Sequence, residues 1–229
     1  MHIPSWLLTF CEYLEQMASL VVLVPLGLAF WRWPHLPPPL RLLTGSLLFT
    51  ELVLLASGLV ELYRPGWSYA VWHVFTLVQT LLFCRIYYLT LVSPVVRRLL
   101  RLAALGFTVF AFCDSLYLEG FQQVNAYTHV AQSALLIGLA LLYFEQLLNE
   151  LHIIRLEQDP LFLVSTAIVL YFSGTVLLYV FVNKLSATTD HASHQMIYTL
   201  NAMVNLIQYM LFALAFWYAD QLLPSPARS

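Results

Sequence analysis

Apolar residues fill seven long stretches of the chain, separated by short breaks that carry prolines, glycines and charges. A membrane-spanning helix needs about 20 mostly apolar residues. The stretches predict helices at 10–31, 41–62, 68–91, 99–118, 125–148, 160–183 and 195–219. The breaks have local reasons. Arg32 to Pro39 (RWPHLPPP) cannot continue a helix and ends the first span. Arg64-Pro65-Gly66 reads as a tight turn, and Ser93-Pro94 as the end of the third helix. Asp159 followed by Pro160 reads as an N-cap with proline at the first helical position, so the sixth helix starts there. Pro25 predicts a kink in the first span. The fourth stretch is the shortest: only Leu102 to Cys113 lies between Arg101 and Asp114, so a full span requires Asp114 near the water interface. The expected fold is all-α, a polytopic bundle in which residues 1–229 form a single seven-helix transmembrane domain.

The arginines orient that bundle. Arg32, Arg41, Arg97, Arg98, Arg101, Arg155 and Arg228 fall on one side, Arg64 and Lys184 on the other, and Arg85 lies inside the third helix toward the basic side. The excess of basic residues in cytoplasmic loops predicts a cytoplasmic C-terminus and an outer N-terminus, the opposite ends that seven spans require.

Composition narrows the function classes. Hydrophobic residues make up 61% of the chain and charged residues 10%, and mean hydropathy is +0.78. Soluble domains carry roughly 25% charged residues, so the polar surface here is too small to cover a water-soluble globule. The net charge of −2 offers no basic field for nucleic acid. MHIPSWLLTF lacks the basic start of a signal peptide, so the first stretch reads as a retained helix of a multi-pass protein of the cell's inner (plasma) membrane. Loops of about ten residues and a short tail leave no room for an output domain. Cys11, Cys84 and Cys113 sit in apolar segments and read as small packing residues, with a Cys11–Cys113 disulfide as the alternative. The tryptophans Trp6, Trp31, Trp33, Trp67, Trp72 and Trp217 fall near predicted helix ends, as an interfacial belt does.

The candidate chemistry lies in polar residues inside the spans, which are costly there and face the bundle interior. Glu51, Gln79 and Asn205 lie at similar depth, near mid-membrane, with Ser173-Gly174 level with them. Buried without a cation, Glu51 is expected to be neutral; it reads as a proton-coupling site or ligand anchor, or as an acid bonded to Gln79 or Asn205 that only holds helices together. His194, Tyr198, Asn201, Asn205 and Gln208 form one face of the last helix, Asn125, His129 and Gln132 one face of the fifth, and His73, Thr76 and Thr80 one face of the third. The stripes predict a polar pocket of Glu51, His73, Gln79, His129, Gln132, Asn201 and Asn205, against the plainer reading of interhelical hydrogen bonding.

Toward the outer face lie Glu12, Glu15, Glu61, His73, Asp114, His129, His191 and His194. Histidines mixed with carboxylates can hold zinc, and His73, Asp114, His129 and His194 are the candidate ligands. The HxxxH that seven-helix membrane hydrolases carry in their last helix is missing, as is HExxH. No catalytic set stands out, and no cofactor is called for. A retinal protein needs a buried lysine, and Lys184 lies at a helix end.

FTELVLL around Glu51, WHVFTLVQTLLF from Trp72, DPLFLVSTAIVLYFSGTVLLYVF from Asp159 and NAMVNLIQYMLFALAFW from Asn201 carry a resemblance. With them the chain resembles an uncharacterised family of short bacterial seven-helix membrane proteins, which are similar to the membrane input regions of sensor histidine kinases. The resemblance implies a sensor or accessory component and assigns no ligand and no catalytic residue.

Three readings follow. In the first, a sensor-like or accessory protein binds a ligand in a pocket open to the outer face, with Glu51 at its floor. A separate cytoplasmic or membrane signalling partner reads it through Arg97, Arg98, Arg101 and the Leu151–Gln158 loop. In the second, a small-solute transporter uses Glu51 as its intramembrane acid; Thr44, Arg85, Tyr87, Glu145 and Gln146 are its few candidates for a cytoplasmic path. Helices one to three and five to seven would form two triplets joined by the fourth, although the match of Gln16–Ser19 to Gln132–Ala134 is too short to establish a repeat. The third reading is a zinc-dependent membrane hydrolase.

Overall fold

Helix ends in the structure follow the chain's own punctuation, with two shifts at prolines and a last helix that starts at His191, four residues before the predicted 195. The structure, a computed structural model, describes residues 13, 17–18, 20–121, 123, 125–150, 156–185 and 191–219; for residues 150, 177–185 and 191–198 it describes the backbone alone. The described residues hold seven α-helices: α1 (Leu23–Trp31), α2 (Pro38–Tyr63), α3 (Ser68–Thr90), α4 (Pro94–Cys113), α5 (Ala126–Glu150), α6 (Pro160–Leu185) and α7 (His191–Trp217). A π-helical turn, Asp114–Leu118, extends α4.

Asp159 caps α6 as its sequence predicts: its Oδ1 accepts from the Phe162 amide at 2.6 Å and from the Tyr143 hydroxyl at 2.9 Å. The α2–α3 turn is closed by Glu61, whose carboxylate accepts from the Gly66 amide at 3.1 Å and the Ser68 hydroxyl at 2.6 Å. Gly66 has φ +84, which a side chain would strain. A turn at Val22 separates helical Leu20–Val21 from α1; Pro25 lacks the amide that would bond the Val21 carbonyl.

The two shifts share a cause. Pro38 and Pro39 lie in the first turn of α2, and Pro94 opens α4 instead of closing α3, with the Ser93 hydroxyl accepting from the Val96 amide at 3.5 Å. A first-turn proline has no intrahelical bond to lose. Helix α4 therefore begins five residues before the predicted 99, with Arg97, Arg98 and Arg101 inside its first two turns. Asp114 differs too: it is fully buried, not interfacial, because the π turn rolls it toward α5, where the Thr128 hydroxyl donates to its Oδ2 at 2.6 Å.

Five helical segments are long and apolar enough to cross a membrane: Pro38–Tyr63, Ser68–Thr90, Pro94–Leu118, Ala126–Asn149 and Thr199–Trp217; Pro160–Val176 is an equally apolar but shorter described stretch. Large apolar side chains point outward, among them Leu52, Leu55, Leu59, Leu102 and Leu105. Outward leucines suit lipid, and helices satisfy their own backbone there. The protein is a multi-pass helical membrane bundle.

Six helices close a ring in the order α1, α2, α3, α5, α6, α7, with α4 outside against α3 and α5. The contacts are most extensive within the α2–α3 hairpin and along α5–α6–α7. Helix α1 lies more against α7 than against α2. The blocks are therefore a hairpin and a four-helix group, not the two triplets that chain order suggests. Gly174 lets α6 approach α7, since a Cβ there would stand 3.1 Å from Val204 Cγ2.

Along its axis the ring has two halves. At the end near Arg32, Arg41, Arg97 and Arg101 it is filled by Leu26, Leu40, Leu43, Ile86, Leu139, Val164, Ile168 and Phe216, all buried. The polar side chains in this half are tied locally: the Tyr87 hydroxyl donates to Ser165 Oγ at 3.0 Å and Thr44 to the Leu40 carbonyl at 3.0 Å. Cys84 is buried there as a free thiol; Cys113 is free and exposed, and Cys11 lies outside the described residues.

Candidate functional site: a polar cavity inside the helix ring

The other half of the ring encloses a cavity of about 510 Å³. Small-molecule sites typically occupy roughly 300–1,000 Å³. Five of the ring helices, α2, α3, α5, α6 and α7, reach it, Ala18 reaches it from ahead of α1, and α4 does not, which follows from the position of α4 outside the ring.

Helix periodicity builds the walls. Tyr69, Trp72, Thr76, Gln79 and Phe83 of α3 follow gaps of three, four, three and four, and all five line the cavity. On α7, Asn201, Asn205, Gln208 and Phe212 do the same. Helix α2 contributes Ser46, Thr50, Glu51 and Leu54. His129 comes from α5, preceded by Asn125, and Tyr171 comes from α6. Glu51 stands near the middle of the 26-residue α2, and Gln79 near the middle of the 23-residue α3.

Five of the seven expected pocket residues, Glu51, Gln79, His129, Asn201 and Asn205, therefore meet around one cavity. Among the described residues, the Glu51 carboxylate makes no hydrogen bond and no ion pair, so the alternative of an acid bonded to Gln79 or Asn205 is not what the structure holds. Gln132 and His73 are not on the wall. Gln132 is fully buried behind it, where its Nε2 donates to Gln79 Oε1 at 3.1 Å and to the Thr76 carbonyl at 3.4 Å. It holds the Gln79 amide in place across the α3–α5 contact. His73 faces the α4–α5 connection: its Nδ1 lies 2.9 Å from Ser115 Oγ, its Nε2 lies 3.3 Å from the Gln123 carbonyl, and its ring meets Phe121 edge-on. A carbonyl only accepts, so Nε2 carries the proton. The direction in which a helix presents its next residue explains the split, since His73 and Trp72 are neighbours in sequence and point about 100° apart.

A hydrogen-bond network ties the wall together. Asn125 Nδ2 donates to Thr76 Oγ1 at 2.7 Å, and Thr76 donates in turn to the Trp72 carbonyl at 3.0 Å. The Ser133 hydroxyl donates to the His129 carbonyl at 2.8 Å, and the His129 ring packs on Phe172. Two buried oxygens, Asp114 Oδ1 and Gln132 Oε1, have no partner among the described residues.

The aromatic part of the wall has a legible signal of its own. Tyr69, Trp72, Phe75, Tyr171 and Tyr209 face the cavity, and Trp72 meets Phe75 edge-on with ring centroids 5.3 Å apart. Trp72 is thus a wall residue and not only a belt residue; it keeps the spacing of Thr76 and Gln79, which marks it as sharing their face.

Among the described residues, no three His, Cys, Asp or Glu side chains gather into a metal-binding group. His73, Asp114 and His129 each serve other contacts instead. The side chain of His194 lies outside the description, as do Tyr198, His191, Glu12 and Glu15.

No family model matches the chain, and no curated protein and no solved structure matches it either.

Proposed function

We propose that the protein is a small-solute membrane carrier that binds its solute in the ring cavity, with Glu51 as the intramembrane acid. One observation carries the reading: an acid with no hydrogen bond and no ion pair among the described residues lines a solute-sized cavity between the α2–α3 hairpin and the four-helix group. A carboxylate in such surroundings has two means of compensation, a proton or a positively charged solute. Both fit a carrier, because each exchanges with the other as the solute arrives and leaves. The wall favours a small organic cation: aromatic faces attract cations, and amides from Asn201, Asn205 and Gln208 can bind its polar substituents.

In this reading seven spans place the N-terminus outside and the C-terminus in the cytoplasm, as the arginine distribution suggests. The cavity then opens outward, because Tyr69 and Asn125 lie at the helix ends opposite Arg41, Arg97 and Arg101.

The test is flux into proteoliposomes under a proton gradient, with a panel of small amines, quaternary ammonium compounds and neutral polyols. Wild type is expected to transport at least one cation, and Glu51→Gln to lose at least about tenfold of that flux, a change of about 1.4 kcal/mol. Absence of both flux and binding across the panel would sink the reading.

The dry half of the ring favours a second reading. Thr44, Tyr87 and Gln146, expected along a cytoplasmic path, are occupied with local bonds. A one-sided site suits a sensor or accessory protein that reports binding to a signalling partner. Solute-dependent thermal stabilisation without flux would select it.

A further inference from the structure

We infer that the arginine-bearing end of the bundle holds a phosphate site, built by Arg85, Arg97 and Arg101 around Tyr88, whose ligand is the headgroup of an anionic phospholipid. This site is separate from the cavity and does not depend on its reading. The guanidinium carbons of the three arginines lie 5.3, 5.6 and 6.0 Å from the centroid of one ring, that of Tyr88. Arg85 and Tyr88 are one turn apart on α3, and Arg97 and Arg101 one turn apart on α4, so two helix faces converge on the ring.

The ring attracts each cation, but a phenol carries no net charge to offset three. Among the described residues, the polar and ring partners of these side chains are Tyr88 and the Leu91 carbonyl, which accepts from Arg97 Nε. The helix that supplies two of them makes the field more positive. Arg97 stands in the first turn of α4, where the helix dipole favours anions, and that turn has no acidic residue.

The loop is also held before any ligand arrives. The Val92 amide donates to Gln146 Oε1 at 2.9 Å, and Arg97 is anchored on Leu91. Guanidinium groups pair bidentately with phosphate oxygens, which ammonium groups do not. The location supplies the source: Tyr88 lies in the last turn of α3 and Pro94 starts α4, so the cluster sits where spans end and lipid phosphates lie.

The test uses the full chain in nanodiscs of phosphatidylcholine with or without phosphatidylglycerol. Native mass spectrometry counts the lipid retained per protein. Wild type is expected to retain phosphatidylglycerol over phosphatidylcholine. R85Q/R97Q/R101Q is expected to weaken that retention by about a hundredfold. R32Q/R41Q/R98Q removes the same charge from the same end but none of the guanidinium groups over Tyr88, and is expected to cost at least about tenfold less of that retention. Equal loss in both triple variants would overturn the site, since general attraction would then explain the lipid. R85K/R97K/R101K keeps the charge and protects against misfolding of the glutamine variant. It is expected to lose most of the retention, and full retention would overturn the guanidinium geometry. Displacement of the lipid by millimolar inorganic phosphate would overturn the lipid source and assign the same chemistry to a soluble phosphate; failure to displace it supports the lipid.

Discussion

Near Arg41 and Arg97 the six ring helices meet side chain against side chain; near Trp72 and Asn125 five of them stand around a cavity. What differs is the residue type at inward positions. Leu40, Leu43, Ile86, Ile168 and Phe216 fill the centre of one half, whereas Thr50, Thr76, Gln79, Asn201 and Asn205 leave the centre of the other open. In lipid, apolar burial between helices gains little over contact with acyl chains, so close packing has to hold the bundle together. The dry half supplies that packing. The cavity half gives up part of it and is tied at its walls by amide and hydroxyl bonds, such as Asn125 to Thr76 and Gln132 to Gln79. A binding site is thus placed on the less packed half of a scaffold that the other half stabilises.

The largest effect that tests this contrast is expected from Phe216→Ala, which empties a fully buried site in the dry half. It should cost about 3–5 kcal/mol in unfolding from mixed micelles. Asn205→Ala, on the cavity wall, should cost under about 1 kcal/mol. Equal costs would mean that the halves do not differ in packing. Labelling comes next. In a cysteine-free background, Asn205→Cys should react with a water-soluble maleimide at least about a hundredfold faster than Ala167→Cys, whose site is fully buried, because the latter reacts only through opening of the bundle. Similar rates would remove the cavity. The smallest effect is expected from Gln132→Leu. It removes the bond to Gln79 but also a buried oxygen with no partner, so stability should shift by less than about 1 kcal/mol. Its use is in flux: a loosened Gln79 should lower solute affinity while the fold stays intact.

Much of this was readable along the chain, and the exceptions are instructive. The Asp159 cap and the turn at Gly66 come from local chemistry and lie where the sequence places them. Ser93-Pro94 was open to misreading because a proline that ends one helix and a proline that starts the next look alike without the cap that follows. The inward stripe of α7 was legible at Asn201, Asn205 and Gln208. On α3 the expected stripe began at His73, whereas the wall begins at Tyr69 and Trp72; a rotation of about 100° separates the two choices. The short apolar run from Leu102 to Cys113 asks for Asp114 at the interface, but the π turn carries it to Thr128.

The sequence by itself determined that this protein is a multi-pass helical bundle and where most of its helices break. A backbone in lipid has to satisfy its own polar groups, so long apolar runs can only be helices, and prolines and capping residues interrupt them locally. It also ranked the residues of each helix by face. Only the tertiary structure decided that α4 stands outside the ring, that α1 sides with α7, and that Glu51 shares a cavity with His129 and Asn205 while His73 and Gln132 do not. The physical reason is that the period of a helix relates its own side chains to each other, while the rotation and order of helices around a common axis come from packing between residues far apart in the chain.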